Sequence, residues 1–236
     1  MSLGRFVVSG GTGALGRAVV KALLDRGARV AVPFRSASAW DALRSAAGSS
    51  AALWGRAADL ADPASAAGFV DESAAWLGGL DGVAAVAGAY AGAATLEKAP
   101  VGEWEDMLRA NLATAHGLCR AALPHLLSNG GGSVVTVGSR LAEAGGAGAA
   151  AYGVSKAAVV ALTRVLALEN RERGVRFNCV LPGVIDTPGN RSAMPSADTS
   201  GWTPPEAIAR VIVFLLSPES SAVSGAVVPV DARASG

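Results

Sequence analysis

A short apolar run that ends in a glycine-rich turn near the amino terminus most constrains the fold. Residues 6–8 are aromatic and β-branched, Gly10, Gly13 and Gly16 follow at intervals of three, and residues 14–26 have helical spacing. This order predicts a strand, a tight turn and a helix. Glycines in such a turn let the backbone approach a diphosphate, and the helix N-terminus offers free N–H groups to an anion. A strand-to-helix turn that needs glycine only for its own geometry has the same pattern.

Apolar strand patterns and helical patterns alternate along the remaining chain. Further strands are predicted at 29–32, 51–54, 82–87, 133–137, 175–181 and 226–230. Further helices are predicted at 39–46, 63–76, 101–129, 149–170 and 204–216. Uniformly apolar strands that alternate with helices are typical of a parallel sheet covered on both faces. The sequence therefore predicts an α/β fold with a doubly wound, mostly parallel sheet of seven strands.

Residue types at the segment ends predict where two of these helices begin. Asp62 followed by Pro63 predicts an N-cap and a first helical residue, and Thr203 with Glu206 has the spacing of a capping box. The segment 188–201 is rich in Pro, Ser and Ala and is the one long stretch without a regular pattern. Long irregular segments in compact domains are often lids, so we expect this one to cover a site.

The charge pattern argues against several classes of partner. The formal net charge is +1 over 236 residues, with no basic or acidic tract. Neither nucleic acid nor an anionic membrane surface is therefore an expected partner. No uncharged apolar stretch approaches the roughly 18 residues of a membrane span, and the amino terminus lacks a signal-peptide core, so we expect a cytoplasmic protein. A small-molecule substrate is the class that remains.

Cysteine and histidine positions predict neither a redox pair nor a metal site. Cys119 and Cys179 lie in apolar segments and are expected to be buried, inert thiols. His116 and His125 are nine positions apart on one predicted helix. That spacing does not bring two side chains to one helix face, so they are expected to be ordinary imidazoles and no metal is expected.

The second predicted strand is followed by a cation where many dinucleotide-binding folds have a carboxylate. Proteins that bind NAD usually present an acidic residue to the adenosine ribose at this point, whereas this chain has Arg35. A guanidinium can pair with a ribose 2′-phosphate, so Arg35 favours NADP(H), with NAD(H) as the second cofactor. A solvated surface arginine is the alternative interpretation.

A phenol and an ammonium share one face of the helix predicted at 149–170. Tyr152 and Lys156 are four positions apart, which stacks them on that face. A nearby cation favours the phenolate and lowers the tyrosine pKa, which suits acid/base catalysis. Ser139 follows the fifth predicted strand, at the carboxyl edge where parallel sheets usually hold their ligands. Without that serine, the pair would be no more than an exposed helix face.

These motifs, taken in order, resemble the short-chain dehydrogenase/reductases over essentially the full chain. The matching positions are 9–16, 59–60, 87–88, Asn111, Ser139, 152–156 and 182–183. The resemblance implies a Rossmann-type fold formed by one domain over residues 1–236, with a substrate loop around 186–202. It also implies an oxidoreductase that acts on CH–OH and C=O groups.

The resemblance implies a role for each of four catalytic residues. Tyr152 would be the general acid and base, and Ser139 would hydrogen-bond the substrate oxygen. Lys156 would hold the nicotinamide ribose hydroxyls and lower the pKa of Tyr152. Asn111 would bind a water of the proton relay.

The resemblance also implies a set of cofactor-binding residues. Asp59 and Leu60 would contact adenine, residues 87–88 would line the ribose region, and residues 182–187 would surround the nicotinamide. With the glycine turn and Arg35, the expected set is Gly10, Thr12, Gly13, Leu15, Gly16, Arg35, Asp59, Leu60, Ala87, Gly88, Tyr152, Lys156, Pro182, Gly183, Ile185 and Thr187.

Four segments are also similar to the quinonoid dihydropteridine reductases, namely 10–16, 86–92, 186–198 and 202–204. Those enzymes prefer NADH, carry an acidic residue after the second strand and lack the catalytic serine. This chain has Arg35 and Ser139 at those places. A C=N reductase of that kind is the first alternative, and an NADP-binding sensor without turnover is the second.

Together the residues and the resemblance predict an NADP(H)-dependent oxidoreductase that transfers a hydride between nicotinamide and a carbonyl or alcohol. The family likeness implies a homotetramer or homodimer. Its interface would pair the helices at 101–129 and 149–170 with their copies.

Overall fold

The computed structural model describes residues 3–231. Across those residues seven parallel strands form one sheet in the order β3-β2-β1-β4-β5-β6-β7. The strands are β1 Arg5–Ser9, β2 Arg29–Phe34, β3 Leu53–Ala57, β4 Gly82–Ala85, β5 Gly132–Val137, β6 Val175–Pro182 and β7 Val227–Val230. The predicted α/β fold with a doubly wound, seven-stranded sheet is confirmed.

Helices fill the connections between the strands. They are α1 Ala14–Asp25, α2 Ala37–Ala46, α3 Pro63–Leu77, α4 Glu103–Met107, α5 Thr114–Ser128, α6 Leu141–Ala144, α7 Ala150–Glu169, α8 Pro188–Ala193 and α9 Pro205–Leu216. Short 3₁₀ turns lie at Leu96–Lys98, Arg171–Arg173 and Pro218–Ser220.

Alternation along the strands divides the apolar core between the two faces of the sheet. Phe6 and Val8 join a cluster with the buried faces of α1, α2 and α9. Val7, between them, joins the opposite cluster with α3 and α5. Successive side chains on a strand point to opposite faces, so each strand serves both layers. Cys119 and Cys179 are free and buried, as expected.

The two predicted helix caps have opposite outcomes. Asp62 caps α3, because its carboxylate accepts the Ser65 backbone N–H at 2.7 Å and Pro63 is the first helical residue. The capping box at Thr203 is wrong, since α9 begins at Pro205 without a side-chain cap. Thr203 is instead buried and forms a β-bridge with Ile185. That tertiary pairing holds the Thr203 backbone away from the helix end.

The predicted helix at 101–129 is interrupted by a π-helical turn. Regular helix runs over Glu103–Met107 and Thr114–Ser128, and Leu108–Ala113 between them has the wider π geometry. Such turns are rare and are often found at functional sites. Here the turn contains Asn111, which is buried.

The segment 188–201 is not irregular throughout. Thr187 caps the short helix α8 by accepting the Asn190 backbone N–H at 3.1 Å. Asp186 adds a two-point ion pair with Arg191, at 2.6 and 2.8 Å. The remaining residues, 194–201, are largely exposed. The start of the proposed lid is therefore an ordered turn of helix.

One helix, α7, is long and apolar enough by length and composition to cross a membrane. In the structure it packs against β5, β6 and the π-helical turn. Its buried positions include Ser155, Lys156 and Thr163, which are polar. We therefore describe it as a core helix of the sheet.

The Asp62 cap should make a measurable contribution to stability. Asp62→Ala leaves the first-turn N–H groups of α3 without their acceptor, so we expect the free energy of unfolding to fall by about 1 kcal/mol. Asp62→Asn keeps an acceptor at the same place and is the matched control, with a loss well below that of the alanine variant. Urea unfolding measures both. Equal losses in the two variants would contradict the capping role.

Candidate active site

The glycine turn after β1 brings the end of that strand against the loop that follows β4. Gly10 has a φ of +66°, and a Cβ at this position would lie 2.8 Å from the backbone of Ala87. A Cβ on Gly16 would collide with the Gly10 carbonyl oxygen. The Gly13 N–H donates to that same oxygen at 2.9 Å. Glycine is therefore required for the turn itself as well as for any close approach by a ligand.

A pocket of about 360 Å³ opens where this turn meets the ends of β2 and β4. It is lined by ten of the expected cofactor-binding residues, namely Gly10, Thr12, Gly13, Leu15, Gly16, Arg35, Asp59, Leu60, Ala87 and Gly88. The sequence missed other lining residues, which are Ala14, Pro33, Phe34, Ala58, Val86, Ala110 and Thr114. Small side chains, a glycine cradle and a helix N-terminus fit a dinucleotide diphosphate.

Charged groups collect at the end of this pocket that Arg35 and Asp59 line. Asp59 accepts the Ala61 backbone N–H at 2.9 Å and the Arg109 guanidinium at 2.5 Å. These hydrogen bonds, together with the charges of Arg109 and Arg35, hold the pKa of Asp59 below its ordinary value. Phe34 stacks on Trp40 at 5.3 Å and so fixes the strand end that carries Arg35. Arg109 is a neighbour that sequence reasoning missed, because it comes from the π-helical turn.

Ser139 and Tyr152 meet at the carboxyl edge of β5. Ser139 follows the strand, and its flanks pair with β6 through Gly138 N–H to the Val180 carbonyl oxygen and Arg140 N–H to the Pro182 carbonyl oxygen. The Ser139 hydroxyl lies close enough to the Tyr152 phenol to lower its pKa, but burial raises that pKa by more. The phenol is thus protonated at neutral pH.

The groups that shift the pKa of Tyr152 are its own burial, Ser139 and Tyr90, and the net shift is upward. The expected lowering of this pKa by Lys156 stays a prediction. The Lys156 amine lies 6.0 Å from the centre of the Tyr152 ring and donates to the Val137 carbonyl oxygen at 2.9 Å. Burial lowers the pKa of Lys156 itself to about 8. A Cβ on Gly88 would lie 3.0 Å from this amine, so the amine borders the nucleotide pocket.

Asn111 joins the loop after β4 to helix α7. Its side-chain oxygen accepts the Ala89 N–H at 2.9 Å, and its amide donates to the Ala89 carbonyl oxygen at 3.1 Å and to the Ser155 hydroxyl at 2.9 Å. Ser155 in turn donates to the Tyr152 carbonyl oxygen at 2.7 Å. Ser155 was overlooked although it lies inside the tyrosine–lysine motif. The water-binding role of Asn111 stays a prediction.

The expected nicotinamide-side residues follow β6, outside the pocket described above. Pro182 ends the strand, Gly183 lies beside Asp231, and Ile185 bridges to Thr203. Thr187 caps α8. These residues follow β6 at the same sheet edge as Ser139. The expected nicotinamide-binding residues and the expected catalytic residues therefore lie along one edge of the sheet.

A doubly wound parallel sheet with a glycine cradle and a serine, tyrosine and lysine at its carboxyl edge defines a nucleotide-binding oxidoreductase fold. A model of the family described as enoyl-(acyl carrier protein) reductase matches residues 11–232. The chain is 35% identical to the cis-4-hydroxycyclohexanecarboxylate dehydrogenase of Sinomonas cyclohexanicum, over 95% of this chain and 94% of that enzyme.

Two further comparisons agree. The D-threitol dehydrogenase of Mycolicibacterium smegmatis is 32% identical, over 95% of this chain and 90% of that enzyme. A solved short-chain type dehydrogenase/reductase from Mycobacterium ulcerans superposes with a TM-score of 0.92 at 27% identity, over 97% of this chain and 88% of that one. The chain belongs to the short-chain dehydrogenase/reductases and is an oxidoreductase of that family.

The buried amine of Lys156 should make stability depend on pH. Its pKa of about 8 in the folded chain lies below its ordinary value of 10.5. Between these two values the unfolded chain binds more protons, so this group makes the free energy of unfolding rise with pH. Lys156→Met removes that contribution. The stability difference, wild type minus variant, should therefore grow from pH 8 to pH 10.5 by at most about 1.4 kcal/mol per pH unit.

Urea unfolding at several pH values measures this difference. The exposed Lys98 provides the control Lys98→Met, for which no comparable growth with pH is expected. A Lys156→Met curve parallel to that of the wild type would show that the amine is not buried.

Proposed function

We propose that this protein is an NADP(H)-dependent oxidoreductase that transfers a hydride between the nicotinamide and a carbonyl or alcohol substrate. The observation that carries the proposal is the proximity of the Ser139 side chain to the Tyr152 phenol, next to a pocket that fits a dinucleotide. The amine of Lys156 borders both.

Each of the four residues has a chemical task in this proposal. When bound, the cofactor supplies or accepts the hydride. Tyr152 gives its proton to the substrate oxygen during reduction and takes it back during oxidation, while Ser139 hydrogen-bonds the same oxygen. Lys156 holds the ribose hydroxyls, and Asn111 organises the proton relay. The phenol of Tyr152 is protonated at neutral pH, which is the state that a proton donor needs.

The substrates after which two relatives are named support an alcohol or carbonyl substrate for this protein. One is a dehydrogenase of a hydroxylated cyclohexane carboxylate and the other of threitol, an acyclic polyol. Both substrates carry hydroxyl groups that dehydrogenation converts to carbonyls. Substrate access would be controlled by the loop 186–202, which the ion pair between Asp186 and Arg191 holds at its start.

Removing the phenol hydroxyl should abolish turnover without abolishing nucleotide binding. Tyr152→Phe leaves the ring in place but removes the proton donor, so kcat should fall by about 10²- to 10⁴-fold. Turnover is measured as NADPH oxidation against a panel of ketones and aldehydes. Binding is measured by the change in NADPH fluorescence, which should match the wild type. Retained turnover in this variant would exclude Tyr152 as the donor.

The same assay separates the two alternatives. A dihydropteridine-reductase-like enzyme would reduce quinonoid dihydropterin, and Ser139→Ala would leave that C=N reduction intact. A sensor would bind NADPH tightly and oxidise it with none of the carbonyl compounds. Rapid carbonyl reduction that depends on Ser139 would contradict both.

The preference for NADP(H) is proposed from the charge at the adenosine end of the pocket. Arg35 is exposed and lines the pocket, and its charge reaches Asp59. A guanidinium in this place can pair with a 2′-phosphate through charge-assisted hydrogen bonds. NAD(H), which lacks that phosphate, would bind more weakly but in the same pocket.

Neutralising Arg35 should therefore affect the two cofactors unequally. Arg35→Ala should raise the KM for NADPH by about tenfold or more, the worth of one lost charge-assisted contact, and should change the KM for NADH little. Arg44→Ala, at an exposed arginine of α2 outside the pocket lining, is the matched control. Steady-state kinetics with both cofactors provide the test. Equal changes in the two KM values would remove Arg35 from the site.

We also propose that residues 1–236 act as one domain in a cytoplasmic homotetramer or homodimer. Leu168 is 73% exposed and Val165 is 51% exposed on α7. Leu123 and Leu127 of α5 line an apolar groove beside that helix. Pairing of α5 and α7 with their copies would cover this surface. The free thiols Cys119 and Cys179 are compatible with a reducing compartment.

A further inference from the structure

An aromatic side chain that the proposed mechanism does not use lies against the phenol of Tyr152. The ring of Tyr90 meets the ring of Tyr152 with centroids 4.8 Å apart and an angle of 70° between their planes. This is an edge-to-face contact, one of the preferred arrangements of aromatic pairs. Tyr90 lies in the loop after β4, two residues beyond Gly88 at the nucleotide pocket.

Tyr90 stays largely exposed in spite of this contact. Its exposed fraction is 64%, the highest of any aromatic side chain among residues 3–231. Aromatic side chains usually bury most of their area when they pack. An exposed ring held against the half-buried phenol of Tyr152 offers an apolar surface at the place where a substrate has to lie. A substrate ring that covers this surface gains the hydrophobic contact that the protein itself leaves unmade.

The loop that carries Tyr90 is fixed on both sides. Before it, the backbone N–H and carbonyl oxygen of Ala89 are both bound by the Asn111 side chain. After it, the Ala93 N–H donates to the Gly148 carbonyl oxygen at 2.8 Å. Gly92 leaves room for the ring, because a Cβ there would lie 2.8 Å from the Tyr90 hydroxyl oxygen. The ring is therefore set in position before any substrate arrives.

We propose that Tyr90 is a specificity-determining residue that forms an aromatic wall beside the Tyr152 hydroxyl and selects carbonyl substrates in which a ring is attached to the reacting carbon. The inference rests on the proposed function, since it concerns the same site. It adds a substrate class, ring-bearing ketones and their alcohols, to that function.

Two ketones of equal carbon number provide a matched pair of probes. Cyclohexyl methyl ketone and 2-octanone are both saturated methyl ketones with eight carbons, so they differ in the ring and little in the carbonyl. With saturating NADPH, the wild type should have the higher kcat/KM for the ring ketone. Tyr90→Ala should lower kcat/KM for that ketone by about fivefold to tenfold, mainly through KM, and for 2-octanone by about twofold at most.

Three further variants distinguish two roles of Tyr90, direct contact with the substrate ring and structural support of the Tyr152 ring. Tyr90→Phe keeps the ring and should keep the wild-type preference. Gly92→Ala, which presses on the Tyr90 hydroxyl, should reduce the preference in the same direction as Tyr90→Ala. Trp104→Ala removes another exposed aromatic side chain, on α4, and should leave the preference between the two ketones unchanged. NADPH binding, followed by fluorescence, should be the same in all variants.

The proposed function and the inference about Tyr90 are contradicted by different results. A wild-type chain that reduces neither ketone nor any other carbonyl compound overturns the proposed function, and the inference with it. A wild-type chain that reduces both ketones without preferring the ring overturns the inference alone. So do equal losses of kcat for both ketones in Tyr90→Ala, because they mean that Tyr90 only supports the Tyr152 ring.

Discussion

All seven strands run in the same direction, and that constraint decides where the chemistry of this chain can lie. Ser9 pairs with Ala85, Ala85 with Thr136, and Thr136 with Cys179, so the last residues of β1 and β4 lie in one row with Thr136, near the end of β5, and Cys179 of β6. The glycine turn, the Tyr90 loop, Ser139 and the segment after β6 all begin within a few residues of that row. A slip of one residue would turn the buried side chains of a strand to the opposite face. The packing that fixes the strand register therefore also fixes the site.

Hydrogen bonds of polar side chains at the sheet edge fix the position of α7 relative to the strands. The buried side chain of Asn111 satisfies both polar groups of the Ala89 backbone and reaches Ser155 on α7. Lys156 ties the same helix to the last residue of β5. Buried polar groups are costly when left without partners, so each link favours one position of α7 over others. The π-helical turn supplies Asn111 to this network and Ala110 to the nucleotide pocket.

Much of the fold could be predicted because it depends on local patterns, whereas most of the expected site residues came from the family resemblance. Apolar periodicity located all seven strands, and a local cap located the start of α3. Local patterns gave incomplete or wrong predictions where contacts between residues far apart in the sequence determine the structure. The second strand was expected to end before Pro33, yet it continues to Phe34, since β1 pairs only with 29–31 and Pro33 lies beyond that pairing. The Thr203 bridge and the Tyr90 contact likewise join distant segments, which no local spacing encodes.

The electrostatics of Tyr152 and Lys156 determine the protonation state of the proposed site. Reduction needs a protonated phenol, and Tyr152, whose pKa is raised by burial, is protonated near neutral pH. Oxidation needs the phenolate, which the neighbouring amine favours only while that amine is charged. The pKa of Lys156 is about 8, so its charge is lost as pH rises into the range where a phenolate would form. The side chains by themselves therefore keep the phenol in its proton-donating form near neutral pH.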